Sequence, residues 1–405
     1  MREITVPPTA GLPLQSADLW PWGAGNFAQL MAGWLAVPEV QLECSGTSAL
    51  MVALRALKTL KPQRREVIAP AYTCPLVALA VAQCGLQLRL CDLRSDTLDM
   101  DAERLQALCS EQTLAVLPTH LCGRVADVEA ALQSARAVGA YVIEDAAQAL
   151  GARSDGVSVG LKGDVGFFSL AVGKGLSTFE GGVLIARDPA MRAALKTAGH
   201  TIRFSPWWEL RRSVELLGYA LLYRPRWLHL AYGKPLAASL SRGDWVEAAG
   251  DDFDDHIPQH SLGRWRQAVG ARALRRLHDF QRTTAEQARM RVEQLKDCGL
   301  DVVTDATPAA QGVWPVILLR LPSQRIRDAV MRAHWGDGSG LSLPFVHVLP
   351  DYGRYGHVLA SACDDDVSQA RDWAGRLLAI SNSPWLDDAR FAQLLSVLEG
   401  ALLQG

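Results

Sequence analysis

The sequence predicts an α/β protein: a large domain with a mostly parallel sheet flanked by helices, followed by a smaller C-terminal α+β domain. Three observations lead there. From about residue 40 to 190, short β-rich runs alternate with stretches of helical periodicity, the signature of repeated βαβ units. After about 195 the texture changes to Trp-, Leu- and Arg-rich helical sequence, and then to mixed strand and helix patterns. The chain has 405 residues of which 49% are apolar, more than one ordinary domain needs and enough to bury two cores.

In the first half, strands are predicted at 67–69, 86–91, 114–117 and 141–143. Helices are predicted between them, at 47–59, 75–84, 101–110 and 126–138. Ligands of such sheets bind beyond the carboxyl ends of the strands, so polar residues just after a strand are the candidates for chemistry. Residues 204–250 carry Trp207, Trp208, Trp227 and Trp245, and 261–297 reads as one long helix. Beyond it come a strand at 313–321, a helix at 323–333, a Pro/Gly-rich segment at 336–355, and helices at 367–378 and 387–403. The expected division is a large domain, 1–290, with an N-terminal arm 1–40 and an insertion 204–255, and a small domain, 291–405.

Composition excludes several classes. With 41 basic and 43 acidic side chains and a net charge of −2, the chain lacks the basic excess of a nucleic-acid binder. No apolar run at the start has signal-peptide length, and no stretch reaches the roughly 18 apolar residues of a membrane span. The expected location is the cytoplasm. The eight cysteines, Cys44, Cys74, Cys84, Cys91, Cys109, Cys122, Cys298 and Cys363, form no CxxC pair. They read as reduced thiols, with no disulfide frame and no metal site.

Three constellations carry chemistry. In Glu43-Cys44-Ser45-Gly46-Thr47-Ser48-Ala49-Leu50 a strand ends and a helix begins. Gly46 lets the backbone approach a phosphate, the helix N-terminus offers free N–H groups, and Thr47 and Ser48 add hydroxyls. The same residues also make an ordinary helix N-cap. In Tyr141-Val142-Ile143-Glu144-Asp145-Ala146-Ala147-Gln148, a carboxylate follows a buried strand, where it needs a partner. A protonated ring nitrogen is one, and Gln148 can reach the same ligand; a helix cap is the alternative. In Ser169-Leu170-Ala171-Val172-Gly173-Lys174-Gly175, one lysine sits among apolar and glycine residues. Desolvation there favours the free amine, which can attack an aldehyde, although a lone loop lysine is more often solvated surface. Phosphate cradle, acid and lysine in this order suit pyridoxal phosphate (PLP).

These motifs make the chain resemble the DegT/DnrJ/EryC1/StrS-type sugar aminotransferases, PLP-dependent enzymes of fold type I. The resemblance runs from about residue 40 to the C-terminus, with a gap at about 204–255. Ser45-Gly46-Thr47-Ser48-Ala49-Leu50 is similar to the family's phosphate-binding segment, and Pro70-Ala71-Tyr72-Thr73 to its Pro-x-x-Thr. Leu117-Pro118-Thr119-His120-Leu121-Cys122-Gly123-Arg124 resembles its His-x-x-Gly-Gln turn. In Glu144-Asp145-Ala146-Ala147-Gln148, the resemblance implies that Asp145 pairs with the ring nitrogen and that Gln148 lies near the ring hydroxyl. Ser169 and Lys174 keep the family's spacing between phosphate-binding Ser and Schiff-base Lys. Glu180-Gly181-Gly182 and the segment from Leu343 to Tyr352 also resemble family motifs. The implied catalytic residues are Lys174 and Asp145. The implied cofactor contacts are Gly46, Thr47, Ser48, Cys74, Asp145, Gln148, Ser169 and Lys174, and the implied substrate contacts are His120, Glu180 and His347.

The chain also departs from the family. Cys74 stands where the family has an aromatic residue that stacks on the cofactor, so either the thiol replaces the stack or Tyr72 assists. Leu170-Ala171 replaces Phe-His before the lysine. The family's Asn-x-Arg-Met, which reaches a neighbouring subunit's site, has no counterpart near His260-Ser261-Leu262-Gly263-Arg264-Trp265. The resemblance implies a homodimeric aminotransferase that moves an amino group from glutamate to a keto group of a nucleotide-linked sugar, for a polysaccharide or glycoside. The rival readings are a sugar dehydratase, in which His typically replaces the lysine, and an inactive scaffold relative. The 204–250 segment, with Trp and Tyr beside Arg, suits packing on its own protein or partner subunit, recruitment of a partner protein, or peripheral contact with the inner face of a membrane.

Overall fold

The computed structural model describes residues 4–362 and 365–403; Cys363 lies outside them. Its main sheet has seven strands: β1 Gln41–Glu43, β2 Glu66–Pro70, β3 Gln87–Cys91, β4 Thr113–Val116, β5 Tyr141–Asp145, β6 Val165–Ser169 and β7 Gly182–Ile185. Their order is β1-β7-β6-β5-β4-β2-β3. Pairing is parallel from β3 through β2, β4 and β5 to β6, and antiparallel where β7 meets β6 and β1. Every residue of β4, β6 and β7 is buried, as expected for strands covered by helices on both faces. On the strands' flanks, the helices Gly46–Leu60 and Pro75–Gln83 supply Leu50, Leu54, Leu57, Val77 and Val81 to the core.

Strands β6 and β7 escaped the sequence reading. Gly166 interrupts β6 and β7 begins on a glycine, so neither shows a strand pattern that stands out from the lysine motif between them. A second, all-antiparallel sheet joins Asp301–Val303, Val316–Arg320, Leu377–Ser381 and Leu341–Ser342 in that order. The helix expected at 367–378 is therefore shorter, Ser368–Arg376. Leu377 starts a fully buried strand, and a continuous apolar run does not tell helix from strand by period alone.

The helix Arg264–Asp297 is roughly 50 Å long at 1.5 Å per residue. It contributes Val269, Leu274 and Leu277 to the core below the first sheet and Leu295 to the core of the second. Residues 204–255 are mostly helical: Pro206–Leu222, Pro225–Leu228, a π turn at His229–Gly233, Lys234–Ser241 and Trp245–Ala249. They pack on their own protein, Leu216, Tyr219 and Ala220 in the first core and Leu236 and Ala248 in the second.

An ion pair anchors this segment. The fully buried guanidinium of Arg266 donates to both oxygens of Glu209, Nη2 at 2.8 Å, and Gly263 N–H donates to the same carboxylate. Arg266→Met strands the Glu209 charge. It is expected to lower the unfolding free energy by about 3–5 kcal/mol, as loss of one partner of a buried pair does. Urea unfolding of the variant checks this, and a change below about 1 kcal/mol would show the pair to be incidental.

Candidate active site

The carboxyl ends of β1, β2, β4, β5 and β6 open into a cavity of about 1020 Å³. At one end, Ser45 caps the helix Gly46–Leu60, its Oγ accepting from Ser48 N–H at 2.9 Å. A Cβ on Gly46 would stand 2.9 Å from Ser169 Cβ, so only glycine lets the helix start this close to the end of β6. Ser45, Gly46, Thr47 and Ser169 therefore share one wall, at the positive end of a helix dipole, where an anion is favoured. Ser48 does not join them. Its hydroxyl is fully buried, 3.5 Å from Glu43 Oε2, and accepts from Gln259 Nε2.

Asp145 ends β5 and is buried. Its Oδ1 accepts from Ala147 N–H at 3.0 Å. Burial raises its pKa, against the pull of that N–H and of the Lys174 charge. Gln148 Oε1 accepts from Cys122 N–H at 2.6 Å, which leaves the amide NH2 as its donor end. Lys174 lines the same cavity. Burial holds its amine below the usual lysine range, against Cys74, Cys122 and Asp145, and no carboxylate among the described residues is within ion-pairing distance of it. Gly173, before it, has φ +78°, and a Cβ there would collide with Thr9.

Cys74 lines the cavity at the N-cap of the helix Pro75–Gln83. Burial pushes its thiol up to about 12, so it stays protonated. Tyr72 does not assist it. Its hydroxyl donates to Phe345 C=O at 2.9 Å and accepts from Phe345 N–H at 3.1 Å, and its ring meets the Phe345 ring edge-on. It ties the first layer to the loop after Leu341–Ser342. Tyr72→Phe leaves both backbone groups of Phe345 unpaired and is expected to destabilise the protein by about 1–3 kcal/mol. Denaturant melts check this; an unchanged midpoint would show that solvent replaces the hydroxyl.

His120 faces the cavity but both ring nitrogens are committed. Nδ1 accepts from Ala126 N–H at 3.1 Å, which puts the proton on Nε2, 3.0 Å from Glu144 Oε2. Glu144 also accepts from Gly160 and Gly163 N–H. Burial pushes the Glu144 carboxyl up, but His120 and these amides outweigh it and hold it below the usual range. The pair braces the floor of the site: His120 N–H donates to Asp145 C=O at 2.9 Å. Glu180 lies at the mouth, gripped by Arg212. His347 is not in this cavity. It lines a separate cleft of about 770 Å³ with Arg327 and Trp245, because the Phe345-Val346 backbone turns it away from the site.

Sequence reasoning missed the contribution of the insertion. Trp208, Arg211 and Arg212 on the helix Pro206–Leu222 line the mouth, both guanidiniums within 5.2 Å of the Trp208 ring centroid. From the acidic stretch that follows, Asp251, Asp254 and Asp255 also line the cavity. Buried Asp251 accepts from Tyr352 O–H at 2.5 Å and from Val346 N–H at 2.9 Å, which latches the insertion to the small-sheet side. The adjacent arginines after a Trp pair were the one signal in the sequence.

Residues 24–214 match the model of the DegT/DnrJ/EryC1/StrS aminotransferase family. A GDP-perosamine synthase of Caulobacter vibrioides is 35% identical over 171 residues, 42% of this chain and 46% of that protein. A UDP-N-acetyl-3-dehydro-alpha-D-glucosamine 3-aminotransferase of Acidithiobacillus ferrooxidans is 34% identical over 196 residues, 46% of this chain and 51% of that protein. The chain thus spans about half the length of these curated relatives. The crystal structure of the sugar aminotransferase CalS13 from Micromonospora echinospora superposes with a TM-score of 0.73 at 21% identity, covering 98% of this chain and 100% of that one. That likeness establishes the fold across nearly all the described chain. Residues 24–214, which supply most of the cavity's floor and its lysine, are thus similar to the DegT/DnrJ/EryC1/StrS aminotransferases.

Proposed function

We propose that this protein is a PLP-dependent aminotransferase that passes an amino group from glutamate to a keto group of a nucleotide-linked sugar. The observation that carries the reading is the desolvated, carboxylate-free amine of Lys174 in the same cavity as buried Asp145 and the Ser45–Thr47 anion cradle. The residues fit the cofactor: the helix N-terminus with Ser45, Gly46, Thr47 and Ser169 would hold its phosphate, and Asp145 would be the partner of its ring nitrogen. When bound, PLP supplies an aldehyde carbon and an electron-withdrawing ring.

Lys174 is the amine that anchors the cofactor. Its Nζ, which burial favours in the neutral form, would be the group that moves a proton at the donor α-carbon. Asp145, in low dielectric, would hold a proton at the ring nitrogen. The Glu144–His120 pair fixes the backbone that carries Asp145. Gln148 offers its NH2 to the ring hydroxyl. Arg211 and Arg212 stand where an anionic substrate group enters, and Trp208 offers an apolar face beside them.

The division near residue 290, a homodimer, a cytoplasmic location and a role in supplying amino sugars for a polysaccharide or glycoside are parts of the same proposal. Lys174 favours it over the dehydratase reading. The test is borohydride reduction of the purified protein after incubation with PLP, with peptide mass spectrometry to locate the added mass. Formation of 2-oxoglutarate from glutamate in the presence of keto-sugar nucleotides is then measured. No adduct at Lys174 would support a scaffold role; an adduct without amine transfer to any keto sugar would overturn the substrate assignment.

A further inference from the structure

We infer that the outer face of the helix Pro206–Leu222 docks on an anionic membrane surface. This goes beyond the catalytic reading and does not depend on it. The helix has two apolar faces. Leu216, Tyr219 and Ala220 are buried against the protein's own core. Trp207, Leu210, Val214, Leu217 and Leu221 are exposed, Trp207 at 72% and Leu221 at 65%. At about 100° per residue these five fall within roughly 80° of one another, on the side away from the buried face. Phe204 before the helix and Trp227 and Leu230 after it are exposed too. A continuous apolar strip of this kind marks a surface that meets something other than water.

Charge selects the occupant. From 203 to 242 there are seven basic residues, Arg203, Arg211, Arg212, Arg224, Arg226, Lys234 and Arg242, against two acidic ones, Glu209 and Glu215, in a chain of net charge −2. Both glutamates are largely withdrawn into ion pairs with arginines. Every exposed charged side chain in this stretch is basic. A two-fold contact between copies through this face would set the same basic segment against itself. An anionic lipid surface instead receives the aromatic and aliphatic strip at headgroup level and pairs with the surrounding cations. Among the described residues no helix is long and apolar enough to cross a membrane, so the contact is peripheral.

The experiment uses the full chain, mixed at low salt with vesicles of phosphatidylcholine alone and of phosphatidylcholine with phosphatidylglycerol. Co-sedimentation with the anionic vesicles, weakened by added salt, is expected. The combined variant Leu210→Ser, Val214→Ser and Leu217→Ser is expected to bind at least about tenfold more weakly. Arg203→Ser, Arg226→Ser and Lys234→Ser should each weaken binding about fivefold. These side chains are exposed, and circular dichroism melts confirm folding. Equal recovery with neutral and anionic vesicles, or no recovery with either, overturns the proposal. So does a triple variant that keeps vesicle binding but changes from dimer to monomer by analytical ultracentrifugation, which would assign the strip to a second copy.

Discussion

Lys174→Ala is expected to reduce amine transfer by at least about a thousandfold, since it removes both the covalent anchor and the proton carrier. The fold should survive. Lys174 lies in the loop after β6, its amine makes no ion pair among the described residues, and alanine needs no unusual backbone there. Denaturant unfolding of the variant should stay within about 1 kcal/mol of the parent. Lys174→Arg is a sharper control: it keeps the charge and length but does not deprotonate, so it should fail as completely. If either variant turns over near the parental rate, the amine of Lys174 is not the reacting group.

Asp145→Asn separates binding from chemistry. The amide still accepts from Ala147 N–H through its carbonyl oxygen, so the turn after β5 is kept. It does not hold a proton on a ring nitrogen, and the rate should fall on the order of a hundredfold or more while PLP still binds. A second readout gives the opposite sign. Burial raises the Asp145 pKa in the folded protein. The folded state therefore binds this proton more readily than the unfolded one, and its stabilising effect, full at acid pH, is lost as pH rises through the folded pKa. Once the pH exceeds the unfolded-state pKa, the apo parent is destabilised by this mismatch, which the variant lacks. The apo variant should melt no lower than the parent at neutral pH, and the difference should vanish at acid pH. Unchanged turnover would reduce Asp145 to a cap.

Much of the floor of the cavity was legible in the sequence. Ser45, Gly46, Thr47, Cys74, His120, Asp145, Gln148, Ser169, Lys174 and Glu180 all line it. Those from Ser45 to Gln148 were readable because they lie at or just beyond the ends of strands that the alternation with helix reveals, whereas Ser169, Lys174 and Glu180 were readable only from the glycine-rich lysine motif and the family resemblance. Ser48 was misjudged because a helix N-terminus shows only one face to a ligand, and residue 48 points back toward Glu43. His347 was misplaced because its local motif says nothing of which cleft the following turn faces. The role of Tyr72, the Glu144–His120 brace and the Asp251–Tyr352 latch join residues far apart in the chain. No local periodicity reports such contacts. The walls supplied by Trp208, Arg211 and Arg212 were hidden for a related reason: the helix that carries them reads as amphipathic wherever it packs.

The close packing around β7 also constrains how this sequence can drift. A Cβ on Gly182 would come within 2.2 Å of Ser45 C=O, while a Cβ on Gly46 meets Ser169. Two segments far apart in the chain, the turn after β1 and the Glu180-Gly181-Gly182 run, thus occupy one another's volume. A methyl gained at 182 pushes the Ser45 carbonyl, and with it the cap that starts the helix Gly46–Leu60. Neither segment can mutate on its own account. Among homologues the pair should be inherited as a block, and a chain that has lost one glycine should have lost the anion cradle as well.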